Sequence, residues 1–325
     1  MRALLSCVAV LLSGLAPVAQ ERPAEAAKPP RPADALALSR ASADATVAVR
    51  LTPGAVLSGD TLWVATPAGL SRVDGKTLAL TAGPALDGAP CGTLAVGLGA
   101  VWAPRCGVQV VARVDEKSAA VTAVALPLAD ASGSIATGIG SVWMATGPAG
   151  VVSRIDPDTR AAVAEIYIAR DPSSVAFADQ ALWITSAAGN VVTRVNPHTN
   201  EVVETIVVGP RPGRVVVGEG GVWVVNRGDH SVTRIDPATN KVVATIPVGH
   251  GIGDGDIAAG AGNVWLSAPG APLVRIDPRS NRAVQRFTGE GGGAVTVAFG
   301  SVWVATGPAT TSRFDPRLLA ALRHE

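Results

Sequence analysis

The seven tryptophans of this 325-residue chain fall on one beat: Trp63, Trp102, Trp143, Trp183, Trp223, Trp265 and Trp303, spaced 38 to 42 residues apart. Seven arginines follow at the same interval: Arg72, Arg113, Arg154, Arg194, Arg234, Arg275 and Arg313. An aromatic and a cation recurring together mark a structural repeat, and a period of about 40–45 residues suits one four-stranded propeller blade. The repeat predicts a single all-β domain over residues 45–316, a seven-bladed β-propeller of four-stranded antiparallel blades. Length alone would suggest about two ordinary domains. Propellers are scaffolds, so the fold by itself assigns no activity.

The fifth unit shows how one blade is written. Its predicted strands are Arg214–Gly218, a second carrying Trp223, a third carrying Arg234, and Lys241–Pro247. Glu219-Gly220 makes a tight two-residue turn, and the second turn position is glycine in five blades (Gly99, Gly140, Gly220, Gly262, Gly300), as a positive φ would require. Asp236-Pro237 opens the next turn: proline presets φ and the aspartate caps the backbone ahead. Folding the middle hairpin about 227–230 sets Trp223 opposite Arg234, so the guanidinium lies on the indole, a contact worth about 0.5–2 kcal/mol. The tryptophans are therefore read as packing residues between blades rather than ligand platforms.

The last unit lacks a fourth strand. The segment Thr46–Leu51 repeats the rhythm of Lys241–Pro247 and precedes the first unit. It is predicted to pair with Thr310–Phe314 and close the ring, removing an open edge. Residues 317–325 are left as a C-terminal tail.

Ahead of the ring, Arg2 and the apolar run Ala3–Ala16 read as an export signal, cleaved after Ala19 or Ala26. Residues 20–44, rich in Pro, Ala and charge, read as a disordered tether. No second apolar run follows, so an exported monomer, periplasmic or extracellular, with no membrane span is expected. A net charge of +1 without a basic run argues against nucleic acid as a partner.

Cys7 would leave with the signal, and two cysteines remain. With a turn at Leu98-Gly99, paired residue numbers in blade two sum to 197, which sets Cys91 opposite Cys106. Antiparallel partners are within disulfide reach, and export permits the bond.

The units Gly300-Ser-Val-Trp-Val304 and Val232-Thr-Arg-Ile-Asp-Pro-Ala-Thr-Asn-Lys-Val-Val-Ala-Thr-Ile-Pro-Val-Gly249 resemble YVTN-type propellers and the wider virginiamycin B (streptogramin) lyase-like group, over roughly residues 45–316. The resemblance implies a seven-bladed ring. For the lyase of that group it implies elimination chemistry with a histidine base and a magnesium ion at one end of the channel. No catalytic residue carries over, because the matching motif is the structural repeat.

Nine residues before each tryptophan comes a ring of equivalent positions: Gly54, Thr93, Ser134, Ser174, Arg214, Asp256 and Ala294. Blades five and six thus set an arginine beside an aspartate at the channel mouth. Polar loop residues are densest over blades four to six, namely Asp171, Arg211, Asn226, Arg227, Asp229, His230, His250 and Asp254. Two active readings compete with plain solvated loops and a partly exposed rim ion pair. His230 and His250 with Asp254 and Asp256 could hold a divalent cation such as magnesium or supply a base. Arg211 and Arg214 could hold an anionic group. No phosphate-binding loop or nucleophile elbow is present. The leading expectation is a scaffold for an unknown small molecule or protein; the alternative is a lyase, with a quinone or other redox propeller third.

Overall fold

The computed structural model describes residues 35–125, 133–249, 251, 253 and 255–322. The chain forms seven four-stranded antiparallel blades in a ring. Blade five runs Pro212–Gly218, Gly221–Asn226, Ser231–Asp236 and Lys241–Pro247, matching the expected strands except for an earlier start. Tight turns join the first two strands of each blade. Glu219 and Gly220 sit at φ 50° and 71°, both left-handed, the geometry of a hairpin turn that follows strand twist. Blade four manages the same turn with Asp179 and Gln180 at 51° and 58°.

Seven hydrophobic clusters fill the ring, each holding one of the seven tryptophans. Each cluster joins a blade to the next. Trp143 packs against Val175, Leu182 and Ile184 of blade four, and Trp303 against Leu62, Val64 and Val73 of blade one. All seven indoles are at most 2% exposed. Losing one to alanine would cost about 3–5 kcal/mol, so the beat in the sequence is the beat of the interblade core.

The arginines complete it. Each pairs across the hairpin with its tryptophan, as in Trp63↔Arg72 and Trp223↔Arg234. Six guanidinium carbons lie 5.0–5.9 Å from the indole centroids. In blade six, Arg275 donates to Gln285 Oε1 and Asn263 Oδ1. In blades three to five the far end of the arginine reaches the following blade. Arg154 donates to Pro197 O and Asn200 Oδ1, Arg194 to Pro237 O and Asn240 Oδ1, and Arg234 to Pro278 O and Asn281 Oδ1. The Pro-x-Thr-Asn or Pro-x-Ser-Asn turn is thus a docking point for the preceding blade.

The ring closes as expected, by a strand shorter than read from sequence. Ala45–Val47 pairs antiparallel with Thr311–Phe314, with Thr46 opposite Ser312. Beyond Val47 the ladder stops because the Thr311 hydroxyl takes over: it donates to Val49 O at 2.6 Å and accepts Leu51 N–H at 2.7 Å.

Both ends of the described chain differ from expectation. Ala35–Ala37, placed within the tether, adds a fifth strand to blade six, parallel to Arg282–Thr288. Leu36 and Leu38 are buried there against Phe287 and Leu319. The tail forms a short helix α1, Pro316–Ala321, capped by Asp315, which accepts Arg317 N–H. Gln285 Nε2 donates to Leu319 O and Leu322 O, holding that helix on the same blade. The expected export signal lies outside the described residues. In blade two the register holds: Ala95↔Trp102 and Gly97↔Ala100 both sum to 197. Cys91 N–H donates to Pro104 O at 2.8 Å. The side chain of Cys106 lies outside the described residues.

Candidate functional site

The first strands of the blades surround a central cavity of about 300 Å³. Its wall mixes polar groups with half-buried valines, and Arg214 and Asp256 bring charge to it.

The ring positions obey a rule that the sequence did not show. A side-chain acceptor at this position takes the N–H of the residue just past the equivalent position in the next blade. Thr93 Oγ1 accepts from Ile135 (3.1 Å), Ser134 Oγ from Val175 (2.8 Å), Ser174 Oγ from Val215 (3.3 Å) and Asp256 Oδ2 from Val295 (3.2 Å). At Gly54, without a side chain, the carbonyl accepts Leu94 N–H instead. These residues are small and polar because they stitch neighbouring first strands together.

Arg214 breaks the rule. A guanidinium cannot accept, so Ile257 N–H goes to the carboxylate of Asp256. Arg214 Nε donates to Asp256 Oδ1 at 3.1 Å. Among the described residues nothing pairs with the two Nη groups. Asp256 is 1% exposed and the Arg214 side chain 17%. The expectation of a partly exposed pair holds for Arg214, which is half-buried, but not for Asp256, which is buried. Removing one partner leaves the other charge buried, which costs about 3–5 kcal/mol. Burial pushes the Asp256 carboxyl up, while the Arg214 charge and the N–H groups of Val295 and Ile257 pull it back.

The loops around this pair distribute the remaining candidates unevenly. Arg227 lies over Gly213: a side chain there would strike Arg227 Nε, a buried atom with no hydrogen-bond partner among the described residues. Arg211 is exposed, and its N–H donates to Asn190 Oδ1 of blade four. Asp171 is exposed, at φ 58°. The Asp229 carboxylate accepts from the N–H and hydroxyl of Ser231. Asn226 is buried, donating to Ser231 and Thr233. His230 is half-buried at φ 55°. His250 and Asp254 lie outside the described residues.

Of the residues expected to hold a magnesium ion, His230 and Asp256 are described and His250 and Asp254 are not. The Asp256 carboxylate is committed to a guanidinium and two N–H groups, and Asp229 to Ser231. Among the described residues no three His, Cys, Asp or Glu side chains gather as a ligand set. Arg211 and Arg227 are joined at the start of blade five, where Arg227 N–H donates to Arg211 O at 3.1 Å. Sequence reasoning missed the hydroxyls of Ser173 and Thr185, which hold the carbonyls of Pro212 and Gly213. Their signal is faint: Thr185 stands two residues after Trp183, where most blades carry an apolar residue.

No protein-family model matches the chain, and no curated protein matches it in sequence. Among solved structures it is similar to a streptogramin B lyase structure, at 20% identity and a TM-score of 0.67, over 82% of this chain and 94% of that one. It is also similar to the hydrazine synthase of Kuenenia stuttgartiensis, at 16% identity and a TM-score of 0.66, over 80% and 93% of the two chains. The likeness is one of fold. It agrees with the resemblance to virginiamycin B lyase-like propellers carried by the repeat units.

Proposed function

We propose that this chain is an exported binding propeller that captures a small ligand at the channel mouth over blades four to six. The observation that carries this is Arg214. It occupies a position that in most other blades stitches neighbours together, and it lines a cavity with Nη groups that nothing pairs among the described residues. A stability screen of the purified chain against small-molecule libraries tests it. A ligand at about 100 times its Kd stabilises the fold by about 2.7 kcal/mol. Arg211→Ala and Arg227→Ala should weaken that ligand's binding, and Lys117→Ala, on an exposed turn of blade two, should not. A ligand indifferent to both arginine variants places the site elsewhere, with the loop around buried Arg105 the next region to probe.

A second reading rests on the fold likeness to a streptogramin B lyase. It is tested by incubating the chain with a streptogramin B and magnesium and looking for ring-opened product by chromatography. Turnover that His230→Ala abolishes would establish a lyase. Absence of product with and without the cation retires that reading and leaves the binding one standing. Export is checked by locating the chain in cell fractions and sequencing its mature N-terminus.

A further inference from the structure

The surroundings of Arg214 narrow the chemistry of the ligand. Arg214 is held from both neighbouring blades. On blade four, Ser173 Oγ donates to Pro212 O at 2.8 Å and Thr185 Oγ1 to Gly213 O at 2.7 Å, while Ser174 Oγ accepts Val215 N–H. On blade six, Asp256 takes Nε and is itself fixed by Val295 N–H. A side chain pinned this way is preorganised, so little freedom is lost when it binds.

What remains is the Nη edge, unpaired among the described residues, beside a cavity of about 300 Å³. The wall there includes the half-buried side chains of Val56, Val216 and Val297. A guanidinium edge with free N–H groups is a planar fork that matches a carboxylate. Charge points the same way. Of the two charged side chains that line the cavity, Asp256 already offsets Arg214, so a singly charged anion meets less repulsion than a doubly charged one. A phosphate dianion would place an excess negative charge next to a buried carboxylate.

We propose that the mouth binds a small monocarboxylate with an apolar body, its carboxylate on the Nη groups of Arg214 and its body beside Val56, Val216 and Val297. This rests on the reading of the mouth as a ligand site. Asp256 then has a second role: it is a resident counter-anion that competes with the ligand for one guanidinium. Neutralising it should strengthen binding, an effect opposite in sign to structural damage.

The test is calorimetric titration of the full chain with matched six-carbon probes, hexanoate, hexan-1-ol and hexylamine, and with inorganic phosphate. Hexanoate should bind saturably, and the alcohol and amine should bind at least about tenfold more weakly. Arg214→Gln should remove the preference for hexanoate. Asp256→Asn, nearly isosteric, should tighten hexanoate severalfold, and this arm holds even if Arg214→Gln does not fold. Equal binding of hexanoate and hexan-1-ol, or binding of phosphate but not hexanoate, overturns the carboxylate assignment and leaves the mouth reading intact. Weaker hexanoate binding in a folded Asp256→Asn chain overturns it too. If no probe binds, the assignment fails, and the mouth reading is then judged separately by whether a library ligand depends on Arg211 and Arg227.

Discussion

Arg234 of blade five donates to Asn281 Oδ1 of blade six at 2.7 Å. The same guanidinium lies 5.0 Å from the Trp223 ring centroid and bonds Pro278 O. One side chain therefore welds a hairpin within its blade and a turn in the next. Arg234→Ala should destabilise the chain by about 2–3 kcal/mol, combining the lost stacking with lost charge-assisted bonds. Arg234→Lys should recover only part, because an ammonium lacks the planar fork. A urea double-mutant cycle with Asn281→Ala should show positive coupling. Strict additivity would mean that the two residues do not act together.

The clamp also points to a stabilising change. Asn200, Asn240 and Asn281 sit at φ 53–61°, where asparagine is tolerated well. Ala119 holds the same place in blade two at φ 58°. Ala119→Asn should raise stability by about 1 kcal/mol, from reduced backbone strain. A lower urea midpoint would refute this.

At the N-terminal edge, deletion through Asp44 should destabilise the chain, since Leu36 and Leu38 are buried on blade six. Leu36→Ala alone should cost about 2–3 kcal/mol. Deletion through Leu51 removes the closing strand as well, and should give aggregation through the bared edge of Thr311–Phe314. A monomeric, cooperatively melting product of the longer deletion would contradict the closure mechanism.

In blade two, we expect a bond between Cys91 and Cys106. Closing a loop of roughly 15 residues should contribute about 3 kcal/mol. Peptide mapping without reduction should recover the two cysteine peptides joined. Two alkylatable thiols in the native, air-oxidised chain would rule the bond out.

Acid should act through the turn aspartates. Asp74, Asp115, Asp156, Asp236 and Asp277 are held below the usual carboxylate value, chiefly by the backbone N–H groups ahead of them. Their stabilisation is present above that value and is lost as pH falls through their lowered ones. Asp256 acts oppositely: it holds its proton more tightly when folded, so its contribution diminishes as pH rises from the ordinary carboxylate value to its raised one. Asp236→Asn should flatten the acid limb of stability with little change near neutrality. Blade four is the precedent, since Asn196 there accepts His198 N–H at 2.9 Å. Urea midpoints measured across pH 2–6 decide it, and an unchanged acid limb would exclude the turn aspartates as its cause.

Much of the ring was legible because its rules are local and repeated. The Trp–Arg interval gave the hairpin register, and the missing fourth strand of blade seven pointed to residues near Thr46. The strand at Ala35–Ala37 was not legible: three residues in parallel pairing carry no turn signal and little periodicity. At the mouth, spacing alone set Arg214 beside Asp256. Their burial depends on neighbouring backbones, Val295 N–H above all, which no motif encodes. Ser173 and Thr185 were passed over because their partners are carbonyls, and carbonyls leave no trace in residue type.

The clamps run in one direction along the chain. For the arginines of blades three, four and five, the acceptors of Nη1 lie in the blade that follows. During synthesis the Nη1 end of each of these guanidinium groups must therefore wait for some forty residues more before it is satisfied. Ala45–Val47 waits longest, since its partner Thr311–Phe314 comes almost at the end. A ribosome-bound chain stalled before blade seven would carry six assembled blades and an unmatched first strand, and would gain its full resistance to proteases in one late step.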